Sequence, residues 1–292
     1  MEETALADVN GVITPMVEAR VSVLDRGFLF GDAVYEVIRV FRGVPFHLSH
    51  HLRRLAVSGE GLEFSGFPEE AEIRRRALHL LEQSGVQEGT LYIQVTRGAP
   101  ESRHVFPSRD TPLTLVITVE PSASFPEDLY DKGVQVITRP EERWLRADLK
   151  TVNLIPRILA RRQAREQGAW EILWIGENGH VLEGGSTNVF MVQGRTLVTP
   201  PLGERILAGV TRQEVLSIAE QEGWDVDVRS IALEEWMSAD ECFLTGTTTE
   251  VLGISHVDGQ PIGKGIPGPV TRTFRQSLRA RMESQAAAFW TD

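Results

Sequence analysis

Lys150 follows apolar Leu149 and precedes a Thr-Val-Asn loop. A lysine held in a poorly solvated site loses its proton more easily and can attack a carbonyl to form a Schiff base. Glu183 leads directly into Gly184-Gly185-Ser186-Thr187-Asn188. There the glycines permit close backbone approach to a ligand, and the hydroxyls can donate to phosphate oxygens. The Thr245-Gly246-Thr247-Thr248-Thr249 run has the same character, and residues 207–212 (LAGVTR) open a helix whose N-terminal N–H groups form an anion site. Each part has a plainer reading: an exposed lysine, or a turn between strands. Taken together, three glycine- or hydroxyl-rich turns and an amine of this kind point to a phosphorylated aldehyde cofactor.

Two further groups could hold anions. His50, His51, Arg53 and Arg54 cluster near the start of a helix, where an arginine can contact phosphate bidentately or simply face solvent. The adjacent histidines lack any metal-ligand spacing, so no metal is expected. Arg103-His104 lies in a loop between Pro100 and Pro107 and suits a carboxylate, with an ordinary polar loop as the competing reading. Neither a Gly-x-Ser-x-Gly elbow nor a nucleotide fingerprint occurs where it would matter, which argues against a dehydrogenase.

The elements that must position these residues can be read in order. Asn10-Gly11 and Arg42-Gly43 are hairpin-type turns. The loop LDRGFLFGD leads into AVYEVIRVF, which is apolar on both faces and is expected to be a buried strand. Ser49 is the expected N-cap of a helix carrying Leu52, Leu55 and Leu62, and a second helix is predicted from Pro68 to Gly85. Strands TLYIQVTR and TPLTLVITV follow, so strands and helices are grouped, which predicts α+β organisation. EPSASFPEDLYDKG is the predicted linker region. Beyond it come strand VQVITR, the Lys150 loop, a helix ending near Gly168, and strand AWEILWI. Asn178-Gly179, a helix after Thr211, a short helix near Leu233, an Asp258-Gly259 turn and a C-terminal helix from Pro269 complete the pattern.

The 292 residues are 41% hydrophobic and 24% charged, as in soluble globular proteins. With 41 acids against 30 bases the net charge is -11, which disfavours general binding to nucleic acid or an anionic membrane. One cysteine, Cys242, excludes an intramolecular disulfide. The acidic N-terminus is unlike a signal peptide, and the longest apolar run, LTLVITV at residues 113–119, is far short of the ~20 residues a membrane helix needs. A cytoplasmic location is expected.

Seven stretches, DRGFLFGDAVYEVIRVFRG, HLRRL, YIQVTRG, RWLRADLKTVNL, LEGGSTNVF, ILAGVTR and FLTGTTTE, give the chain a resemblance to the fold-type IV family of pyridoxal phosphate (PLP) enzymes, and within it to the D-amino acid aminotransferases. The resemblance implies a two-domain transaminase architecture with the cofactor in the interdomain cleft. It has a small N-terminal α+β domain over residues 1–120, a linker at 121–128, and a larger α/β-barrel-like domain over 129–292. It implies that Lys150 forms the Schiff base and shuttles a proton, and that Glu183 pairs with the pyridine nitrogen. Arg54, Val210, Thr211, Thr247 and Thr248 are implied to hold the phosphate, Leu207 to pack on the ring, and Arg143 with Glu171 to form a polar pair supporting the lysine. Tyr35, Arg103 and His104 correspond to a trap for the substrate carboxylate. The family pattern places that arginine two before the histidine, where this chain has Ser102, and Arg103 stands one position later.

The implied reaction moves an amino group from a D-amino acid such as D-alanine to 2-oxoglutarate or another 2-oxo acid, in a homodimer whose loops complete each other's sites. Branched-chain L-amino acid transaminase, (R)-amine transaminase and aminodeoxychorismate lyase share the fold and are the rivals.

Overall fold

The Asn10-Gly11 turn forms as its residue types dictate. Both residues take positive φ (50° and 94°), joining β1 (Leu6–Val9) to β2 (Val12–Pro15) with Val9 opposite Val12. The computed structural model to which these elements belong describes residues 4–103, 106, 110–122 and 125–289. It divides into two units. One comprises Met1–Ser124, Leu149–Asn153 and Ser284–Asp292, and the other Phe125–Asp148 and Leu154–Glu283. The division is therefore not one cut in the chain. Five residues around Lys150 belong to the first unit, although the sequence on either side of them belongs to the second.

In the first unit, β3 (Ala33–Phe41), β4 (Val44–Pro45), β5 (Gly89–Thr96) and β6 (Thr114–Pro121) join β1 and β2 in an antiparallel sheet of order β2-β1-β6-β5-β3-β4. The Arg42-Gly43 turn closes β3 on β4, again with positive φ at both residues. Helix α1 (Arg26–Phe30) lies inside LDRGFLFGD, which the sequence presents as a loop. Asp25 caps it by accepting from the Gly27 N–H, and no helical apolar periodicity announces it. Helices α2 (Leu48–Gly61) and α3 (Glu70–Ser84) bury Leu52, Leu55, Ile73, Ala77 and Leu80 against Val34, Ile38, Leu91, Ile93 and Ile117 of the sheet. Ser49 is not the N-cap of α2. His47 occupies that position at φ 54°, because the chain leaving β4 needs a left-handed residue there, and Ser49 accepts instead from Arg74 inside the first turn.

The second unit holds a mixed sheet. Its elements in chain order are α4 (Glu127–Lys132), β7 (Val134–Pro140), α5 (Ile155–Glu166), β8 (Glu171–Ile175), β9 (His180–Gly184), β10 (Asn188–Gln193), β11 (Thr196–Thr199), α6 (Val210–Gln221), β12 (Asp225–Val228), β13 (Ile231–Ala232), α7 (Leu233–Met237), β14 (Glu241–Gly246), β15 (Glu250–Val257), β16 (Gln260–Pro261) and α8 (Pro269–Phe289), the last of which passes into the first unit at Ser284. Strand order is β12-β11-β10-β14-β15-β7-β8-β9-β13, with β16 on β15. Strands β7 and β8 are parallel. A parallel pair requires a crossover of a dozen or more residues, and that connection is the one bearing Lys150 and α5. Among the described residues, no helix is long and apolar enough to cross a membrane.

One feature of the first unit's core is not apolar. Glu36 lies on the same face of β3 as Val34 and Ile38, at 0% exposure. Arg54 of α2 grips it bidentately, Nε to Oε1 and Nη2 to Oε2 at 2.7 Å each, and His51 Nδ1 lies 2.7 Å from Oε2. Burial alone would push this carboxyl up. The Arg54 guanidinium, with His51, outweighs burial and brings it from 4.5 down to about 2. A carboxyl lowered on folding contributes stability that is complete above its unfolded value and is lost as pH falls toward the folded one. Glu36→Gln should therefore cost roughly 3–5 kcal/mol near neutral pH, since it removes the charged carboxylate from a largely buried ion pair. In chemical denaturation curves the gap from the unsubstituted chain should narrow as pH drops from 4.5 toward about 2. A gap that stays constant through that window would rule out the ionised carboxylate as its source.

Candidate active site

Lys150 is held by its backbone. The Tyr35 N–H donates to the Lys150 carbonyl at 2.9 Å, the Val152 N–H donates to Ala33 at 3.2 Å, and Thr151 bridges Val34. The segment thereby covers the edge of β3 at residues 33–35, while β4 pairs only with Val40 and Phe41. On α2 the Ser58 hydroxyl accepts from the Lys150 N–H at 3.1 Å. Gly61, one turn further on, leaves room for Leu149, with which any Cβ would collide. Asn153 donates to the carbonyl of Gly31, which caps α1 in the left-handed region, and a Cβ at Gly31 would meet the Asn153 side chain at 2.6 Å. Five consecutive residues are thus anchored at both ends and in the middle.

The side chain of Lys150 is half-buried, with Nζ 4.4 Å from the centroid of the Tyr35 ring. Tyr35 is buried and stacked on Tyr92 at 5.6 Å, and Tyr92 is in turn fixed by its hydroxyl donating to Gln94 at 2.6 Å. Arg54 points inward onto Glu36, whereas Arg53 is exposed, so only one of the adjacent arginines faces the core. Arg103 is exposed and lies 5.1 Å over the Phe30 ring. His104 lies outside the described residues.

In the second unit the organising group is Glu183, at the end of β9 and 3% exposed. Oε1 accepts from Arg143, and Oε2 accepts from Asn188 Nδ2 at 3.0 Å and from the Leu207 N–H at 3.1 Å. Burial pushes the carboxyl up, and the Arg143 guanidinium opposes it. Arg143 and Glu171 do not form the pair expected of them. Arg143 donates to Glu141, Glu183 and the Arg205 carbonyl. Glu171 instead lies under the glycine loop. It accepts from the Ser186 N–H at 3.2 Å and faces Arg161 Nε at 3.3 Å, and a Cβ on Gly185 would meet it at 2.5 Å. The reason is register: β7 and β8 are parallel neighbours that place Glu171 opposite Val136, well before the chain reaches Arg143.

Asn188 is a residue that the sequence displays without a role. Its amide donates to Glu183 and to the Leu207 carbonyl at 2.9 Å, and a Cβ on Gly209 would collide with its side-chain oxygen. It therefore ties the Glu183 carboxylate to the loop that enters α6. Helix α6 starts after Gly209 with no side-chain cap, so the N–H groups of Val210, Thr211 and Arg212 face outward from the helix start. Thr247 and Thr248 form the turn between β14 and β15. Nearby, the hydroxyls of Thr187, Thr245 and Thr249 are buried and have no hydrogen-bond partner among the described residues. Asn188 and Thr245 are directly opposed in the β10–β14 ladder, and Gly246 faces both Thr187 and Thr249. An uncapped helix start together with buried hydroxyls in need of acceptors fits a phosphate group. A buried carboxylate beside an arginine fits a protonated ring nitrogen, and the clamped lysine fits a carbonyl carbon.

The family described as Amino-transferase class IV matches residues 33–257. The chain is 36% identical to the D-alanine aminotransferase of Bacillus licheniformis over 282 residues, covering 95% of this chain and 97% of that protein. Among solved structures it is similar to the T.th. branched-chain amino acid aminotransferase with pyridoxamine 5'-phosphate (28% identity, TM-score 0.86, 95% and 93% of the two chains). It is also similar to the 4-amino-4-deoxychorismate lyase of Pseudomonas aeruginosa (29% identity, TM-score 0.81, 94% and 98%). The match spans most of the chain and includes the anchored lysine, the buried carboxylate and the anion-ready turns; the chain belongs to the class IV aminotransferases.

Proposed function

We propose that this chain is a PLP-dependent aminotransferase that takes the amino group of a D-amino acid such as D-alanine and passes it to a 2-oxo acid such as 2-oxoglutarate. The observation that carries the chemistry is the built-in lysine. A surface lysine needs no sheet edge, no buried serine and no paired glycine contacts to fix five residues around it, whereas a reacting amine must be held within a few tenths of an ångström. The D-amino acid assignment is supported by relatives named D-alanine aminotransferase at 33–36% identity.

Bound PLP supplies an electron sink that makes the Cα–H of the attached amino acid acidic. Arg54, Val210, Thr211, Thr247 and Thr248 would hold its phosphate, Leu207 would pack against its ring, and Glu183 would face its ring nitrogen. Arg143 and Asn188 keep Glu183 in one orientation and, with the Leu207 N–H, favour its charged form against the effect of burial. Lys150 moves the proton, with Nζ over the Tyr35 face. Tyr35, Arg103 and His104 would receive the substrate carboxylate.

The working unit in this reading is a cytoplasmic homodimer. Its support is the apolar surface each unit leaves exposed: Val17, Val23 and Phe28 in the first, and Ile155, Ile158 and Leu159 along one face of α5 in the second. A branched-chain L-amino acid transaminase is the second reading, favoured by Arg103 standing one position late and lying over Phe30.

Lys150→Ala should abolish the yellow colour of the purified protein and lower turnover more than about a hundredfold; an active variant would sink the mechanism. Offering D-alanine, L-leucine and (R)-1-phenylethylamine separately with 2-oxoglutarate should show D-alanine consumed fastest, and consumption of L-leucine alone would overturn the substrate assignment. Arg103→Ala should raise KM for D-alanine about tenfold with kcat little changed, the pattern of lost uniform binding. An unchanged KM would remove Arg103 from the carboxylate site.

A further inference from the structure

Behind the turn of residues 247–249 lies a charged cluster to which the reaction gives no part. Glu250, the first residue of β15, sits at φ 54°, a region that non-glycine residues seldom occupy, and is 9% exposed. Arg279 of α8 donates from Nε to its Oε2 at 2.8 Å, and Arg275 Nε lies 3.7 Å from the same oxygen. Both arginines also bind Glu127 of α4, at 2.7 Å from Arg275 and 3.0 Å from Arg279. Tyr130, 4% exposed, lies under Arg275, whose guanidinium carbon is 3.3 Å from the ring centroid. The Tyr130 hydroxyl donates to the Thr249 carbonyl at 3.3 Å.

The turn is thus gripped at two consecutive residues, through the carbonyl of Thr249 and the carboxylate of Glu250. Both grips come from α4 and α8, which contribute none of the phosphate contacts assigned above. Hydrogen bonds to an anion weaken steeply with angle, so a turn offering N–H groups and hydroxyls must keep one shape. A left-handed Glu250 persists only where its surroundings over-determine it. Gly246, opposite Glu250 in the hairpin, faces Thr249 Oγ1, so rotation at residue 250 would displace that hydroxyl.

We propose that Glu250, Arg279 and Tyr130 are positioning residues for recognition of the cofactor's phosphate, holding residues 247–249 in the conformation that receives it. The inference rests on the PLP reading above. Its test compares PLP with pyridoxal, which lacks the phosphate, by titrating each into the full-length chain freed of cofactor and following the visible band. Thermal melts report folding, and release of PLP from the holoprotein on dilution gives a second readout.

Arg279→Gln and Glu250→Gln should each weaken PLP about tenfold and speed its release, with pyridoxal affinity unchanged within about twofold. The double variant should lose less than the sum of the two singles, because the two share the Arg279–Glu250 ion pair. Arg279→Lys should recover part of the loss. Tyr130→Phe, which removes one hydroxyl and keeps the packing, should weaken PLP by about threefold, again without affecting pyridoxal. Unchanged PLP affinity in these variants, or equal weakening of PLP and pyridoxal, would overturn the proposal, the second by showing a merely structural role. A chain that binds PLP while its variants are unaltered refutes this inference alone; an unsubstituted chain that binds no PLP refutes the function and the inference together.

Discussion

One face of α2 determines where Lys150 can be. His51, Arg54, Ser58 and Gly61 recur at intervals of three and four residues, so they share a stripe along the helix. His51 and Arg54 take the Glu36 carboxylate of β3, Ser58 takes the Lys150 N–H, and Gly61 admits Leu149. Leu48, Leu52 and Leu55 on the neighbouring stripe hold the helix to the apolar sheet. The same helix therefore sets Arg54 and Lys150 in fixed relation within one unit. A buried ion pair is an expensive way to attach a helix, because desolvation offsets most of its attraction. It makes sense here as a device that orients Arg54, since a bidentate carboxylate leaves a guanidinium little rotational freedom.

The second unit uses the same logic with the charges reversed. Glu183 is buried, and burial pushes its carboxyl up, with the Arg143 guanidinium opposing it. Arg143, Asn188 and the Leu207 N–H all donate to it, which aligns the carboxylate and favours its charge. Asn188 then extends the alignment to the loop before α6, so the charge-bearing group and the anion-ready helix start are parts of one hydrogen-bonded set.

Much of this is legible in the chain itself. The Asn-Gly, Arg-Gly and Asp-Gly turns form where their residue types place them, because positive φ is a local requirement that local residues satisfy. Helices α3, α6 and α7 fall close to the expected positions, since each has an apolar stripe or a glycine stop. Helix α1 is hidden by its glycine and lack of periodicity, and Ser49 is passed over as a cap because the turn out of β4 needs a left-handed residue first. Ser58, Gly61 and Asn188 carry only a weak signal. Small or polar residues at helical spacing beside an apolar stripe are also what a solvent-facing helix looks like.

What the sequence determined by itself was the inventory: a lysine in an apolar setting, an acid ahead of a glycine loop, hydroxyl-rich turns and a pair of adjacent arginines near the start of a helix. Those follow from residue type and short-range spacing. Only the tertiary structure decided the partners. It took five residues around Lys150 out of the surrounding unit and gave them to the edge of β3, and it paired Arg143 with Glu183 while assigning Glu171 to Arg161 and Ser186. Strand register and sheet order produce those outcomes, and both are set by contacts between residues far apart in the chain, which no local pattern encodes.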